Sequence, residues 1–312
     1  MPSRVLIIGD VMIDRYLAGR VDRISPEAPV PVLRLGEEDN RLGGAANVAL
    51  NVLALGATPL LAGVVGDDDN GRLFRQLLAE HGLSDELIVT DSSRCTTVKT
   101  RLVAGGQQLM RVDREDTFDL AGAAAGAFLE NIIATVKRGD ADLLLFQDYN
   151  KGVLHRETIE RLLSLTGDRI DSVVDPKNHN FWEYAECGLF KPNLREIQQQ
   201  VDFPIRPVLA DLDRAAAVIF ERLGCGSVMI TLSEHGIYVN DRKTSAIYPT
   251  NARTVADVSG AGDTVISVAA CGLATGQSLE QIAKLANLAG AQVIAKSGVV
   301  AVDLAELQRA AQ

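Results

Sequence analysis

The sequence predicts an α/β fold with a mostly parallel central sheet, helices on both of its faces and a small β lid. Three observations carry this. Short apolar runs alternate with longer segments of helical period along all 312 residues, the pattern of successive βαβ units. The short runs are nearly continuous Val, Leu and Ile, as in strands covered on both faces. Two segments, about 15–40 and 95–114, break the alternation and read as β ribbons standing off the main sheet. One domain over 1–312 is expected.

Composition narrows the function. Hydrophobic residues make up 47% of the chain, enough for a sizeable core and against wholesale disorder. Aromatics at 4% argue against a base-stacking surface. A formal net charge of −10 disfavours nucleic acid and anionic membrane as partners. It leaves room for a phosphorylated ligand, because an anion site needs only local cations and aimed N–H groups. Cys95, Cys187, Cys225 and Cys271 form no CxxC pair and read as reduced thiols. The four histidines lack metal-ligand spacing. No apolar run approaches ~18 residues, and the N-terminus enters a strand directly, so the expected location is cytoplasmic.

Taken in order, Val5–Ile8 is a buried strand closed by Gly9-Asp10, with Asp14 beyond it. Ligands of open α/β sheets collect at such carboxyl ends, which makes Asp14 a candidate for binding hydroxyls. Gly43-Gly44-Ala45-Ala46-Asn47 opens a helix running to Leu55-Gly56. The glycines permit close approach of a ligand, and Asn47 lies one turn in, able to meet a sugar hydroxyl; tight packing by small residues is the alternative. Leu60–Val65 is a strand and Asn70–His81 a helix. Thr96–Arg101 and Leu109–Val112 form a hairpin around Gly105-Gly106. With Lys99, Arg101, Gln107, Arg111 and Arg114 it carries the densest basic patch of an acidic chain.

An Ala-rich helix spans 119–137, and strand Leu143–Phe146 ends at Gln147-Asp148-Tyr149-Asn150-Lys151-Gly152. A helix near 156–165 leads to strand Ser172–Val174 and Asp175-Pro176-Lys177. At Lys191-Pro192-Asn193-Leu194-Arg195-Glu196, Pro192 halts a strand and Asn193 caps a helix. Asn193 and Glu196 read either as a capping box or as partners of the water shell of Mg²⁺ bound to phosphates. A helix over 211–223, strand Ser227–Thr231 and strand Ile237–Val239 follow, then helices at about 264–275 and 279–296. Thr231, Ser233 and Gly236 fall where a nucleotide would lie.

Asp257-Val258-Ser259-Gly260-Ala261-Gly262-Asp263 precedes the first of those two helices. A turn this poor in side chains lets main-chain N–H groups approach an anion, and the helix adds its own unpaired N–H groups and dipole. Asp263 then stands where it can take a proton from an attacking hydroxyl. An ordinary Gly-rich turn with Asp263 as a helix cap is the competing reading. The polar strand ends at 9–14, 43–47, 148–152, 191–196 and 257–263 are expected to line one cleft.

These motifs together resemble the ribokinase or PfkB-type sugar kinases. Gly43-Gly44-Ala45-Ala46-Asn47 resembles the N-terminal signature, Asn193-Leu194-Arg195-Glu196 the NxxE motif, and Asp257–Asp263 the C-terminal signature, in family order. Val258 stands where many members have Thr, and Ser233 where the nucleotide loop often has Gly. Within the family the chain is most similar to D-glycero-β-D-manno-heptose 7-phosphate kinases. That likeness rests on Arg23 to Val32, the Lys99-Thr100-Arg101 to Asp113 hairpin, Asp148-Tyr149-Asn150-Lys151-Gly152 and Asp175-Pro176-Lys177. Bifunctional relatives append a nucleotidylyltransferase domain, so a chain stopping at Gln312 resembles the single-activity form or an excised kinase domain.

The resemblance implies a ribokinase-like fold and transfer of the ATP γ-phosphate to O1 of heptose 7-phosphate, toward ADP-heptose and lipopolysaccharide core. It implies Asp263 as base and Gly260, Ala261 and Gly262 as N–H donors to the transferred group; one such donor is worth ~2.7–4 kcal/mol of barrier. Asp263 is expected to need no raised pKa, in an electropositive site. Sugar hydroxyls would be read by Asp14, Asn47 and Asp148, with Gly43 and Gly44 giving access. The 7-phosphate would meet Lys99, Arg111 and Lys151, and Lys177 either phosphate. Lys191, Asn193, Glu196, Thr231, Ser233, Gly236 and Asn287 would serve ATP, with Mg²⁺ held through water by Asn193 and Glu196. A monovalent cation and a homodimer through the β lid are further family expectations. A kinase for another sugar and a non-catalytic sugar-phosphate sensor stay open. A dinucleotide-binding domain is disfavoured, because Gly9-Asp10-Val11-Met12-Ile13-Asp14 is not GxGxxG.

Overall fold

The computed structural model describes residues 2–167, 170–250 and 255–310. Strand β1 (Arg4–Gly9) leads into the long antiparallel ribbon β2 (Val11–Ile24) and β3 (Pro31–Gly44). Helix α1 (Ala45–Ala54), β4 (Thr58–Gly66), α2 (Asp69–Glu80) and β5 (Ile88–Asp91) follow. The hairpin β6 (Val98–Ala104) and β7 (Gln107–Arg114) turns on Gly105 and Gly106, both at positive φ, as a two-residue turn between right-twisted strands requires. Next come α3 (Gly122–Lys137), β8 (Leu143–Gln147), α4 (Arg156–Leu163), β9 (Asp171–Asp175) and the short β10 (Leu189–Phe190). The chain ends with α5 (Leu194–Gln198), α6 (Leu209–Leu223), β11 (Ser227–Thr231), β12 (Ile237–Asn240), β13 (Ser245–Tyr248), α7 (Ala261–Ala274), α8 (Leu279–Ile294) and α9 (Leu304–Ala310).

The main sheet runs β13-β12-β11-β10-β9-β8-β1-β4-β5. All its pairings are parallel except those β12 makes with its two neighbours. A separate four-stranded sheet, β3-β2-β6-β7, hereafter the lid sheet, gathers the two segments that break the strand–helix alternation. Three elements escape the sequence reading. β5 and β13 are four-residue strands at the two edges of the main sheet, and α9 has only seven residues. Helix α7 begins at Ala261, so Asp263 lies inside its first turn. No helix among the described residues is long and apolar enough to cross a membrane.

Side-chain alternation sorts the core into two layers. Val5 and Ile7 of β1, Leu143 and Leu145 of β8 and Val173 of β9 face the layer built with α1, α7 and α8. Leu6, Ile8, Leu144, Phe146 and Val174 face the layer built with α3, α4 and α6. Gly9, Gln147 and Asp175 are in register across β1, β8 and β9. All three continue the odd-numbered face, beneath α7.

Gly9 must lack a side chain there, since a Cβ would run into the main-chain carbonyl of Gln147. Gly9→Ala is therefore expected to lower stability by roughly 1–3 kcal/mol, the cost of overpacking. Gly126, exposed in the middle of α3 with open space around it, should respond oppositely. Gly126→Ala is expected to stabilise by up to about 1 kcal/mol. Urea unfolding of both variants checks the pair of signs.

Candidate active site

Helix α7 is apolar nearly all round and buried along most of its length, so its polar first turn is placed by packing rather than by solvent. Gly260 caps it at φ 80, a left-handed conformation suited to glycine. The missing side chain also makes room for Asn47, because a Cβ on Gly260 would meet Asn47 Nδ2. That nitrogen donates to Asp263 Oδ2 at 2.7 Å. The other oxygen, Oδ1, accepts from the Tyr149 hydroxyl at 2.7 Å and from Gln147 Nε2 at 3.1 Å. Asp263 is 4% exposed. Among the described residues it makes no ion pair.

Burial pushes the Asp263 carboxyl up to about 6, and the nearby Asp175 and Asp14 add to the rise against the hydrogen bonds from Asn47 and Tyr149. This corrects the expectation of an unshifted acid in an electropositive site. Three cations nearby are already matched with carboxylates. Lys191 pairs with Asp175 at 3.1 Å, both buried. Lys177 pairs with Glu196, and Arg101 with Asp14.

Several predicted residues occupy different roles. Gly43 and Gly44 leave space for protein atoms: a Cβ would strike the Asp14 carboxylate at Gly43, and the Asp10 carbonyl and Met12 at Gly44. Asn47 is fully buried and engages the candidate base. Asp148, one residue past the end of β8, continues the even-numbered side and turns into the layer of Tyr184. It is fully buried and accepts from Asn180, Tyr184 and the Asn150 N–H, so both of its oxygens are engaged by protein groups. Lys151 is bonded to Glu115 at 2.8 Å, and Arg111 to Asp113 at 2.9 Å on an exposed strand. Lys99 has no ion pair among the described residues. Its ammonium lies 5.1 Å from the centre of the Tyr149 ring, and burial holds its pKa below the ordinary value.

On the other side, Asn193 and Glu196 form a full capping box on α5. Asn193 Oδ1 is thereby committed to a main-chain N–H, and both Glu196 oxygens are engaged, by the Asn193 N–H and Lys177. Thr231 bridges to Asn193 in parallel register. Ser233 lies in a 3-10 turn at φ 53, and Gly236 follows at φ 93 against the Tyr248 carbonyl. Asn287 donates to that same carbonyl at 2.8 Å. In the Gly-rich turn the Ala261 N–H is directed to Val258 O at 3.3 Å.

The structure also assembles residues that sequence reading passed over: Tyr149, Gln147 and Asp175. Counting parity from the end of β8 would have chosen 147 and 149 over 148. The apolar run hides that alternation because both faces are covered.

The pfkB family carbohydrate kinase pattern matches residues 2–305. The chain belongs to that family. The bifunctional protein HldE of Pelobacter propionicus is 41% identical over 307 residues, and that of Caulobacter vibrioides 43% over 308. These alignments cover 98% and 97% of this chain but 62% of each relative, so the chain spans about three-fifths of their length. In fold it is similar to phosphofructokinase-2 of Escherichia coli solved with substrates and products, at TM-score 0.81 and 18% identity over 99% of this chain and 98% of that one. Ribokinase of Arabidopsis thaliana solved with ribose and ATP superposes at TM-score 0.77 and 16% identity, covering 99% and 98%. As a pfkB carbohydrate kinase the chain is a sugar kinase with the ribokinase-like fold.

In this pfkB kinase the raised acid sets a pH signature of stability. The folded carboxyl of Asp263 holds its proton more tightly than the unfolded one, ordinarily near ~3.9. Its ionisation therefore costs folding free energy above about pH 6, and that cost vanishes as pH falls below the unfolded value. Asp263→Asn does not titrate. The stability of the variant relative to wild type is expected to be greater at pH 8 than at pH 4, by on the order of 3 kcal/mol. Denaturant unfolding at both pH values measures this, and a pH-independent difference would contradict a strained carboxylate.

Proposed function

We propose that the chain transfers the γ-phosphoryl group of ATP to O1 of D-glycero-β-D-manno-heptose 7-phosphate, giving the 1,7-bisphosphate, as a step toward ADP-heptose and lipopolysaccharide core. The observation that carries the phosphotransfer reading is the state of Asp263. It is a buried carboxylate in the first turn of a helix, held by three neutral donors and bonded to no cation. Such a group can accept a proton from an alcohol, and its raised pKa of about 6 makes it a better base near neutral pH.

Phosphoryl transfer has a loose transition state, so alignment and charge stabilisation dominate. With the Ala261 N–H directed to Val258 O, the N–H groups of Gly260 and Gly262 are the ones to meet charge developing on the moving group. Lys177, whose ammonium burial would depress but Asp175 and Glu196 hold above its ordinary value, stays charged beside it. Mg²⁺ arrives with the ATP phosphates and keeps most of its waters. The donors fit only such an indirect role: no cluster of three or more acidic, His or Cys side chains among the described residues could ligate a metal. Glu196 is the residue to meet the water shell, with Asn193 holding it in place.

The acceptor side rests on Lys99, the one predicted cation without a carboxylate partner among the described residues, and on Asp14 in its pair with Arg101. The heptose assignment draws on the resemblance of the hairpin and the 148–152 and 175–177 stretches. A homodimer through the lid sheet fits the exposed apolar residues Val21, Leu35, Leu109 and Met110 on its strands.

A panel of sugars and sugar phosphates with MgATP tests the substrate. Heptose 7-phosphate is expected to be the best acceptor, and activity confined to unphosphorylated ribose or fructose would overturn the assignment. Asp263→Asn should lower turnover at least about 100-fold while ATP still binds by calorimetry. Lys99→Ala should raise KM for the sugar phosphate on the order of 10–100-fold, with a much smaller effect on an unphosphorylated analogue.

A further inference from the structure

Oδ1 of Asp263 carries two of the three donors, Tyr149 and Gln147, which fill its two in-plane acceptor sites, so this oxygen takes a proton only after one of them leaves. Of the three donors, Asn47 and Gln147 are 0% and 1% exposed and set in α1 and β8. Tyr149 is half-buried and lies just beyond β8. Its main chain is fixed: Asp10 Oδ2 accepts the N–H groups of Tyr149 at 2.7 Å and Lys151 at 3.1 Å. These main-chain bonds leave the side chain to be held by its hydroxyl bond to Asp263 and by the lysines near its ring. Burial and the neighbouring Asp263 push its phenol well above the ordinary value, so it remains a neutral donor.

The ring carries a second relationship. Lys99 and Lys177 lie 5.1 and 5.4 Å from its centre. Lys99 belongs to the lid sheet, with Asp14 and Lys151 as charged neighbours. Lys177 belongs to the group of Asp175 and Glu196. A phosphorylated acceptor attracts these ammonium groups more strongly than an aromatic face does.

We propose that Tyr149 sets the choice of sugar hydroxyl over water, by occupying the proton-accepting oxygen of Asp263 until a phosphorylated acceptor draws the lysines off its ring. This deepens the phosphotransfer reading above and rests on it. With Tyr149 in place, a water entering beside ATP finds both acceptor sites of Oδ1 filled. With the hydroxyl gone, the water can give its proton to Asp263 as its oxygen bonds to the γ-phosphorus. The bond from that phosphorus to the β,γ-bridging oxygen breaks, ADP leaves with the electron pair, and inorganic phosphate forms. Asp263 then returns its proton to solvent.

The test is steady-state release of inorganic phosphate from MgATP without sugar, beside transfer to heptose 7-phosphate, for wild type and Tyr149→Phe. Phe keeps the ring and removes only the donor. Acceptor-free hydrolysis is expected to rise at least about tenfold, the worth of a hydrogen bond to a charged group, and the ratio of hydrolysis to transfer to rise with it. Tyr149→Leu, which removes ring and hydroxyl, should raise hydrolysis likewise and serves if the Phe variant melts early. Unchanged or lowered hydrolysis in both variants, with wild-type transfer present, overturns the role of Tyr149 and leaves the kinase reading standing. Raised hydrolysis in a chain that phosphorylates no sugar supports the role of Tyr149 and removes the substrate assignment.

Discussion

The site depends on keeping one negative charge buried without neutralising it. A lysine bonded directly to Asp263 would lower its pKa and occupy the oxygens that must take a proton. Three neutral donors satisfy the carboxylate instead, so desolvation raises its pKa. Each donor imposes a demand elsewhere. Asn47 needs Gly260 to have no side chain. Gln147 must sit at the end of β8 on the face toward α7, which the register with Gly9 and Asp175 provides. Tyr149 needs its loop held, and the buried Asp10 holds it through main-chain N–H groups.

Cations are kept one step away by the same logic. Lys191, Lys177, Lys151 and Arg101 each face a carboxylate. Breaking such a buried pair by removing one partner leaves an uncompensated charge. An anionic ligand can instead exchange for the carboxylate, so the positive charge is available without standing bare beforehand. Lys99 differs, being masked by an aromatic face, a weaker partner than a carboxylate and one more readily exchanged for a phosphate.

Much of this was legible in the sequence. The strand–helix alternation and the two off-pattern β segments follow from local pattern, whereas the start of α7 falls three residues earlier than the expected 264, which puts Asp263 inside its first turn. The short edge strands β5 and β13 did not, since four residues carry little periodicity. At the site, local motifs pointed to Asp263 and Asn47, but not to their bond across 216 positions. Asp148 was preferred to its neighbours for its charge, whereas the pleat turns it into the opposite layer with Tyr184. Gly43 looked like access for a ligand, yet the space it leaves is filled by the carboxylate of Asp14. The polar strand ends were readable as clusters; which side of a doubly covered strand each residue faces required counting parity.

The lid is joined to the helix turn by contacts that also span the chain. Arg41 of β3 donates to the carbonyls of Ser297 at 3.2 Å and Val299 at 3.0 Å. Tyr16 of β2, with Arg41 and Arg101 against its ring, accepts the Val299 N–H at 3.2 Å. The Gly298 N–H in turn reaches Asp257 Oδ2 at 3.1 Å, at the start of the turn that leads to Gly260. A displacement of the lid strands therefore pulls on the segment that presents the first N–H groups of α7. Asp14 and Lys99 move with those strands, because β2 and β6 are paired in register at these two residues. The lid strands and the Gly-rich turn are thus joined through hydrogen bonds rather than through a shared element. A ligand that reorders the lid cations has a physical route to the turn, independent of any direct contact with it.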